Sequence, residues 1–328
     1  MNEHPGGPEP LPQNTTSMSV PKAVTLFEMG ARDGLQNEGE LVSTDAKVEF
    51  IDLLSQTGLR WIEATSFVSP KAIPQLSDAA DVFARIQKAP GVRYPVLVPN
   101  VKGYERAKAA GADAIAVFTA ASENFTKRNI NMTIDESLET FRDVVRAGKN
   151  DGMWVRGYVS TAFGSPFGDA VTAAMVVDIC VKLMEMGCSE LSIGDTIGVG
   201  VPSQIDEMMP LLLERIPIEL MAFHFHDTRG TALANVYAAL QHGISKFDSS
   251  SGGLGGCPYA PGATGNVGTE DVLYLLHQSG IETGVDLAKV RAASRYISTV
   301  VGHALTSKAY QAMEASDARV AAKASTAP

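Results

Sequence analysis

The sequence predicts an α/β fold in which repeated βα units surround one closed parallel sheet. Short β-type runs alternate with longer amphipathic stretches from Val24 onward, which is the pattern of such units. A chain of 328 residues is long enough for one barrel of eight units. Polar residues of unusual chemistry follow the predicted strands, and the strand ends of a barrel form one rim. We therefore predict a TIM (β/α)8 barrel with additional C-terminal helices.

The predicted elements follow one another in order along the chain. Eight apolar runs are predicted as strands, at 24–28, 61–64, 94–98, 114–119, 154–159, 190–193, 220–224 and 246–249. Between them, 47–54, 104–110 and 175–186 show helical periodicity, and each is followed by a glycine. Ser43 or Thr44 would cap the first of these helices. The chain after Gly268 is predicted as further helix packed on the barrel.

One domain accounts for nearly the whole chain. We predict a disordered tail at 1–21, a single barrel domain with a C-terminal helical cap at 22–316, and a flexible tail at 317–328. The first twenty residues lack the features of a signal or transit peptide, and no stretch is apolar for long enough to span a bilayer. The sequence therefore favours a protein that neither enters a membrane nor is exported.

The charge and the cysteines narrow the class of partner. A formal net charge of −10 argues against nucleic acid or an anionic membrane surface, although a small anionic substrate remains compatible. Three cysteines provide no disulfide framework, so a reducing cytoplasm is expected. Cys180, which shares a predicted helix with apolar residues, is expected to lie in the core.

The most informative motif is His224-Phe225-His226, at the end of the seventh predicted strand. Residues i and i+2 of a strand point to one face, so both imidazoles can converge on one point. They would supply two ligands of a divalent-metal site. The alternative is a pair of core histidines that are hydrogen-bonded to backbone carbonyls.

Two oxygen donors on the same predicted rim complete a plausible ligand set. Asp33 follows the first strand, and Asn266 lies in the loop after the eighth. Imidazole and oxygen ligands without a thiolate suit Mg²⁺ or Mn²⁺. Asp33 could instead be a turn residue before Gly34, and Asn266 could be a left-handed turn residue.

Further rim residues suggest the chemistry beside that metal. Arg32 is a fixed positive charge suited to stabilising a developing oxyanion or enolate, unless it serves only in an ion pair with Glu63 or Asp195. Glu63 and Asp195 would orient Arg32 or transfer protons, and the sequence does not divide these roles. Tyr158 ends the fifth predicted strand on the same rim.

A glycine-dense stretch at 249–266 follows the last predicted strand. Such a loop can move and bring backbone N–H groups close to a ligand. Cys257 lies within it and is a candidate acid or base that enters the site on closure. The stretch is not a G-x-G-x-x-G fingerprint, so dinucleotide binding has little support.

Together these motifs resemble the hydroxymethylglutaryl-CoA lyase family. The stretches that carry the resemblance are 28–38 (EMGARDGLQNE), 63–71 (EATSFVSPK), 194–200 (GDTIGVG), 223–228 (FHFHDT) and 253–259 (GLGGCPY). The likeness runs from about Val24 to Lys308 and is specific because the motifs occur in one order. It implies a metal-dependent barrel that cleaves 3-hydroxy-3-methylglutaryl-CoA to acetoacetate and acetyl-CoA. A homodimer and a role in leucine degradation would be usual for the family.

The resemblance also implies roles for individual residues. Those that match metal ligands of the family are Asp33, His224, His226 and Asn266. Arg32 and Cys257 match its catalytic arginine and loop cysteine, and Glu63 and Asp195 match carboxylates of its site. Arg32, Gln36 and Tyr158 are expected to contact substrate. His224 or a neighbouring carboxylate would act as the base, and Cys257 or His224 would protonate the carbanion.

One departure concerns the coenzyme. Animal members of the family carry an Asn-Arg-Lys run where this chain has Gly302, His303 and Ala304. Lys308 is retained and is the candidate contact for the acyl-CoA substrate. Related activities stay open, namely cleavage of a longer 3-hydroxyacyl-CoA or of a 4-hydroxy-2-oxo acid. A non-catalytic metal-binding scaffold is a further alternative.

Overall fold

Nine short strands, all paired in parallel, form one sheet in the computed structural model, which describes residues 20–256 and 265–325. In chain order the strands are β1 (Thr25–Glu28), β2 (Trp61–Ile62), β3 (Thr65–Ser66), β4 (Val96–Leu97), β5 (Ala114–Ala120), β6 (Trp154–Ser160), β7 (Glu190–Asp195), β8 (Met221–Phe225) and β9 (Lys246–Ser249). Neighbours in the sheet follow the order β2-β1-β9-β8-β7-β6-β5-β4-β3.

The two edge strands of this sheet, β2 and β3, are the two halves of one interrupted barrel strand. Only Glu63 and Ala64 separate them, and the amides of these residues donate to the carbonyls of Glu28 (2.9 Å) and Pro95 (3.0 Å) on either side. The sheet is therefore closed into a barrel. With β2 and β3 counted as one, the barrel has eight strands, which is the predicted number. The predicted TIM (β/α)8 barrel is confirmed.

Helices follow the barrel strands and cover the outside of the barrel. They are α1 (Thr44–Ser55), α2 (Ala79–Arg85), α3 (Val101–Ala109), α4 (Glu123–Ile130), α5 (Ile134–Asn150), α6 (Ala173–Met186), α7 (Pro202–Leu213), α8 (Ala232–Gln241), α9 (Thr269–Gln278), α10 (Leu287–Val301) and α11 (Lys308–Ser325). Ser43 caps α1 by accepting a hydrogen bond from the amide of Ala46, and Gly187 ends α6 in the left-handed region. The last three helices agree with the helical segment predicted after Gly268.

The last helix extends into the segment that was predicted as a C-terminal tail. A flexible tail was predicted from residue 317, but α11 continues to Ser325. Arg291 of α10 holds this helix through ion pairs with Glu314 (2.6 Å) and Asp317 (2.5 Å). These contacts depend on the packing of two helices, so composition alone did not predict them. The predicted tail at 1–21 lies almost wholly outside the described residues.

The interior of the barrel divides into an aromatic part and a polar mouth. Phe27 stacks on both Trp61 and Trp154, with Phe27 and Trp61 ring centroids 5.6 Å apart, and the two tryptophan rings are tilted by 37° to each other. The mouth lies at the carboxyl ends of the strands, where the functional residues of such barrels are found. None of the helices in residues 20–256 and 265–325 combines the length and apolar character needed to cross a bilayer.

Candidate active site

The first strand leads directly into the site. After β1 the chain forms a single wide helical turn, Gly30–Gly34, in which the amides of Asp33 and Gly34 donate to the carbonyl of Met29 at 2.8 and 3.0 Å. π-type turns of this kind are rare and are frequent at functional sites. This turn places Arg32 and Asp33 side by side at the mouth of the barrel.

Asp33, His224 and His226 lie together there and could hold a metal ion, because a donor atom of each lies within 4.8 Å of the others. The two histidine Nε2 atoms are 3.0 Å apart, and Asp33 Oδ2 is 4.0 Å from His226 Nε2. Both imidazoles therefore converge on one point, as the alternation along the strand predicts. The alternative was a pair of histidines hydrogen-bonded to backbone carbonyls, but the ring nitrogens instead face Asp248 and each other, and Nδ1 of His226 has no hydrogen-bond partner among the described residues.

Asn266 joins the same cluster. Its side-chain amide donates to Asp33 Oδ2 at 2.9 Å, and its Oδ1 atom is buried without a hydrogen-bond partner. Asn266 is not in the left-handed region, whereas the preceding Gly265 is, at φ +82°. A buried acceptor without a donor costs free energy, and a cation would satisfy it. The four residues therefore fit a divalent cation.

The protonation states at this cluster also suit a metal. Burial, together with the neighbouring His224, lowers the pKa of His226 to about 3, so its imidazole is neutral. Burial opposes ionisation of Asp33, but Arg32 and the two histidines outweigh it and lower the pKa of Asp33 to about 2. Neutral imidazoles and an ionised carboxylate are the forms in which these groups bind metals.

Arg32 lies between two carboxylates. Its Nε atom donates to Glu63 Oε2 and a terminal nitrogen donates to Asp33 Oδ1, each at 2.5 Å. The predicted ion pair with Glu63 is thus present, while Asp195 takes no part in it. Arg32 is only 7% exposed, yet it lines the cavity at the mouth, so pairing and contact with a ligand are compatible.

The cavity itself has a volume of about 510 Å³, which is within the range of small-molecule sites. Its wall includes Gln36 and Tyr158, both predicted to contact substrate, together with the two histidines. The guanidinium of Arg32 lies 5.7 Å from the centre of the Tyr158 ring. Apolar groups such as Leu97 and Phe118 line the same space.

Three other predicted residues lie away from the wall of this cavity. Asp195 accepts hydrogen bonds from the amides of Val199 and Gly200, at 2.9 Å each, and so holds the turn after β7. Glu63 is fully buried beside Arg32, and burial raises its pKa. Lys308 is exposed at the start of α11. Cys257 lies outside the described residues.

A buried charge pair that the sequence analysis missed stands behind His224. Asp248 Oδ2 is 3.2 Å from His224 Nδ1 and accepts a hydrogen bond from Ser192 Oγ at 2.7 Å. Its other oxygen pairs with Arg156 at 2.7 Å. A charged residue within each of two strands was the signal in the sequence that could have predicted this pair. Charged side chains inside a sheet are rarely fully buried unless they are paired.

These features define a class: a closed parallel α/β barrel with a carboxylate–imidazole metal-ligand cluster beside a buried guanidinium. The sequence profile of the family described as HMGL-like matches residues 23–297 of the chain. The chain belongs to the HMGL-like family.

Relatives and solved structures agree with this assignment. The chain is 51% identical over 300 residues to the mitochondrial hydroxymethylglutaryl-CoA lyase of Bos taurus, which covers 91% of this chain and 92% of the relative. It is 52% identical over 293 residues to the cytoplasmic 3-hydroxy-3-methylglutaryl-CoA lyase of Danio rerio, covering 89% and 88% of the two chains. The crystal structure of hydroxymethylglutaryl-CoA lyase from Pseudomonas aeruginosa superposes with a TM-score of 0.89 at 48% identity, covering 91% of this chain and all of that one.

Proposed function

We propose that this protein is a metal-dependent lyase that cleaves 3-hydroxy-3-methylglutaryl-CoA to acetyl-CoA and acetoacetate. One observation carries the proposal: the guanidinium of Arg32 and the cluster of Asp33, His224 and His226 line the same cavity. A cation site and a fixed positive charge within one cavity suit a reaction that develops negative charge on oxygen. Relatives about half identical to the chain carry the name of this activity.

Asp33, His224, His226 and Asn266 would hold the metal, with Mg²⁺ or Mn²⁺ as the proposed ion. When bound, the ion would supply Lewis acidity that lowers the pKa of the substrate hydroxyl. His224 Nδ1 faces Asp248 and its Nε2 points into the cluster, so the metal would take up the lone pair that a base needs. The sequence allowed His224 or a neighbouring carboxylate as the base; we assign His224 to ligation instead.

The reaction breaks one carbon–carbon bond without adding water. A neighbouring carboxylate accepts the proton of the C3 hydroxyl, the hydroxyl oxygen becomes the ketone of acetoacetate, and the C2–C3 electron pair passes to the acetyl-CoA enolate. Arg32 donates hydrogen bonds to the enolate oxygen, and one such preorganised donor contributes about 3–4 kcal/mol. A proton then reaches C2, and Cys257 is the proposed donor.

The other carboxylates act through their neighbours in this proposal. Glu63 holds Arg32 at the cavity through the 2.5 Å contact, and Asp195 holds the turn at 199–200. Gln36 and Tyr158 shape the wall around the acyl group. Among the described residues two arginines line the cavity, Arg32 and Arg128, and we propose Arg128 as a contact for an anionic part of the substrate. Lys308 stays the proposed coenzyme contact from the sequence.

The assembly and the location of the enzyme are further parts of the proposal. We infer a homodimer in the cytoplasm that acts in leucine degradation, as the resemblance implies. A cytoplasmic relative exists in Danio rerio, and the relative from Bos taurus is mitochondrial. The net charge of −10 supports a small-molecule substrate over nucleic acid or a membrane surface.

A coupled assay for acetoacetate tests the proposal. The protein is treated with a chelator, dialysed, and assayed with 3-hydroxy-3-methylglutaryl-CoA in the presence and absence of Mg²⁺ or Mn²⁺. We expect acetoacetate release that depends on added metal. If ketone is released only from a longer 3-hydroxyacyl-CoA, or pyruvate only from a 4-hydroxy-2-oxo acid, that compound would replace 3-hydroxy-3-methylglutaryl-CoA as the proposed substrate. Metal binding without turnover of any of them would favour a non-catalytic scaffold.

A further inference from the structure

A buried network of charges runs through the barrel interior and ends on His224. Arg156 is fully buried and lies over the ring of Phe27, with its guanidinium carbon 3.9 Å from the ring centre. It pairs with Asp248 at 2.7 Å and with Glu190 at 3.1 Å, and Glu190 also pairs with Lys246 at 2.5 Å. Two cations and two carboxylates thus balance one another, with Lys246 at the partly exposed end of the network.

Within this network the two carboxylates have different neighbours. Glu190 contacts only the cations Arg156 and Lys246 among the pairs of the network. Asp248 instead divides its two oxygens: Oδ1 pairs with Arg156, and Oδ2 faces His224 Nδ1 and the hydroxyl of Ser192. Only Asp248 therefore connects the buried arginine to the cluster at the mouth.

This arrangement determines which nitrogen of His224 carries the proton. An ionised carboxylate can only accept hydrogen bonds, so Nδ1 of His224 must be the protonated nitrogen. The lone pair is then on Nε2, which in the metal-free protein accepts a hydrogen bond from His226 Nε2 at 3.0 Å inside the cluster. Carboxylates placed behind ligand histidines orient the ring and raise its basicity, and their loss typically weakens metal binding by about 10–100-fold.

We propose that Asp248 is a positioning residue that fixes His224 as an Nε2 metal ligand, and that Arg156 keeps Asp248 oriented for this role. The proposal rests on the metal centre of the proposed function. An amide at position 248 would exchange the hydrogen-bond donor and acceptor roles between residue 248 and His224. Its oxygen would turn to Arg156, since a guanidinium offers only donors, and its NH₂ group would face His224. His224 would then accept at Nδ1 and carry its proton on Nε2, where it blocks the metal.

The test compares two variants that each remove one carboxylate from the same arginine. Asp248→Asn changes the partner of His224, whereas the control Glu190→Gln does not contact it. Mn²⁺ binding to each full-length protein is titrated by the electron paramagnetic resonance signal of the free ion. We expect the dissociation constant of Asp248→Asn to rise by about 10–100-fold, and that of Glu190→Gln to stay within about threefold of the wild type, well short of an outer-shell loss.

A second readout separates positioning from folding. Histidine ¹⁵N spectra of the metal-free proteins are expected to show His224 protonated on Nδ1 in the wild type and on Nε2 in Asp248→Asn. If Asp248→Asn fails to fold, the double variant Arg156→Met/Asp248→Leu removes both charges and leaves no acceptor for Nδ1 of His224. We expect weakened Mn²⁺ binding in it as well.

Three outcomes bear on these claims. Equal weakening in both single variants would show that the network acts only through charge balance and would overturn the proposal. Wild-type affinity in Asp248→Asn, or in the double variant, would also overturn it. Failure of the wild type itself to bind Mn²⁺ would instead remove the metal centre, and with it the proposed function.

Discussion

Arg32 and Glu63 form a buried ion pair that joins the first two βα units at the mouth of the barrel. The Nε atom of Arg32 lies 2.5 Å from Glu63 Oε2, although the two residues are 31 positions apart. Glu63 stands at the break between β2 and β3, where its amide donates to the carbonyl of Glu28. One side of the guanidinium is thereby held in place, and it still lines the cavity where a ligand would bind.

Replacing Arg32 should separate catalysis from metal binding. Arg32→Gln is expected to lower kcat by about 10²–10³-fold, the usual cost of removing one oxyanion donor. The affinity for Mn²⁺ should stay equal or rise, because the competing cation beside Asp33 is removed. Steady-state kinetics and a metal titration on one preparation check both statements. Turnover near the wild-type rate would contradict the enolate role.

Removing Glu63 should destabilise the fold as well as the site. Among the described residues, Glu63→Ala leaves the buried Arg32 with Asp33 as its remaining ion-pair partner, and breaking a buried ion pair costs about 3–5 kcal/mol. We expect a loss near the lower end of this range in urea unfolding. Glu63→Gln, which can still accept a hydrogen bond, should lose less. Equal stabilities of both variants and the wild type would show that the pair is not stabilising.

Asp33 should matter for the metal more than Asp195 does. Asp33→Asn removes a candidate ligand and is expected to weaken Mn²⁺ binding by more than about 100-fold, beyond the usual effect of an outer-shell residue. Asp195→Asn alters a residue whose hydrogen bonds go to the turn at 199–200, and it should retain a metal affinity close to that of the wild type. Calorimetric titration compares them. An unchanged affinity in Asp33→Asn would exclude Asp33 from the ligand set.

The contact between α1 and the segment before α10 depends on a glycine. Gly58 has φ +95°, and a Cβ atom there would lie 2.2 Å from the carbonyl oxygen of Gly284. Gly58→Ala is therefore expected to lower the free energy of unfolding by about 2–4 kcal/mol. Gly91→Ala is the matched control, because its φ of +79° is similar but no atom lies within 4 Å. It should lose only about 1–2 kcal/mol.

The buried Glu270 should make stability depend on pH. It accepts hydrogen bonds from the amide of Gly252 at 2.8 Å and from the hydroxyl of Ser294. Burial raises the pKa of Glu270 to about 7, so the folded protein binds this proton more tightly than the unfolded chain does. The associated stabilisation is complete below about pH 4.3 and is lost as the pH rises through 7.

Glu270→Gln tests that dependence because it mimics the protonated form. From pH 5 to pH 8 the wild type should lose up to about 3 kcal/mol of unfolding free energy relative to this variant. Urea unfolding at several pH values gives the comparison. Parallel pH profiles for the two proteins would show that Glu270 has no raised pKa in the folded state.

Most of the fold and the centre of the site could be predicted from local patterns. The eight barrel strands could be predicted because strands that are buried on both faces are continuously apolar. The run at 114–119, for example, corresponds to β5 at Ala114–Ala120. The convergence of His224 and His226 follows from the two-residue period of a strand. The proximity of Asp33 follows from the rule that carboxyl ends of barrel strands share one rim.

Contacts between distant segments could not be read in this way. Two such contacts are the pairing of Arg32 with Glu63 rather than Asp195 and the position of Asp248 next to His224. Both depend on which inward positions of neighbouring strands face each other. The stagger of a closed sheet sets that register, and no single strand encodes it. The same holds for α11, where Asp317 pairs with Arg291 of α10.

The sequence by itself determined the alternation of elements, the chemistry of the rim and the family to which the chain is similar, because these depend on residue types and short spacings. Only the tertiary structure decided which charges neutralise one another inside the barrel and which side chains reach the cavity. Closure of the sheet brings residues from opposite ends of the chain within a few ångströms, and at that range burial and pairing control their protonation.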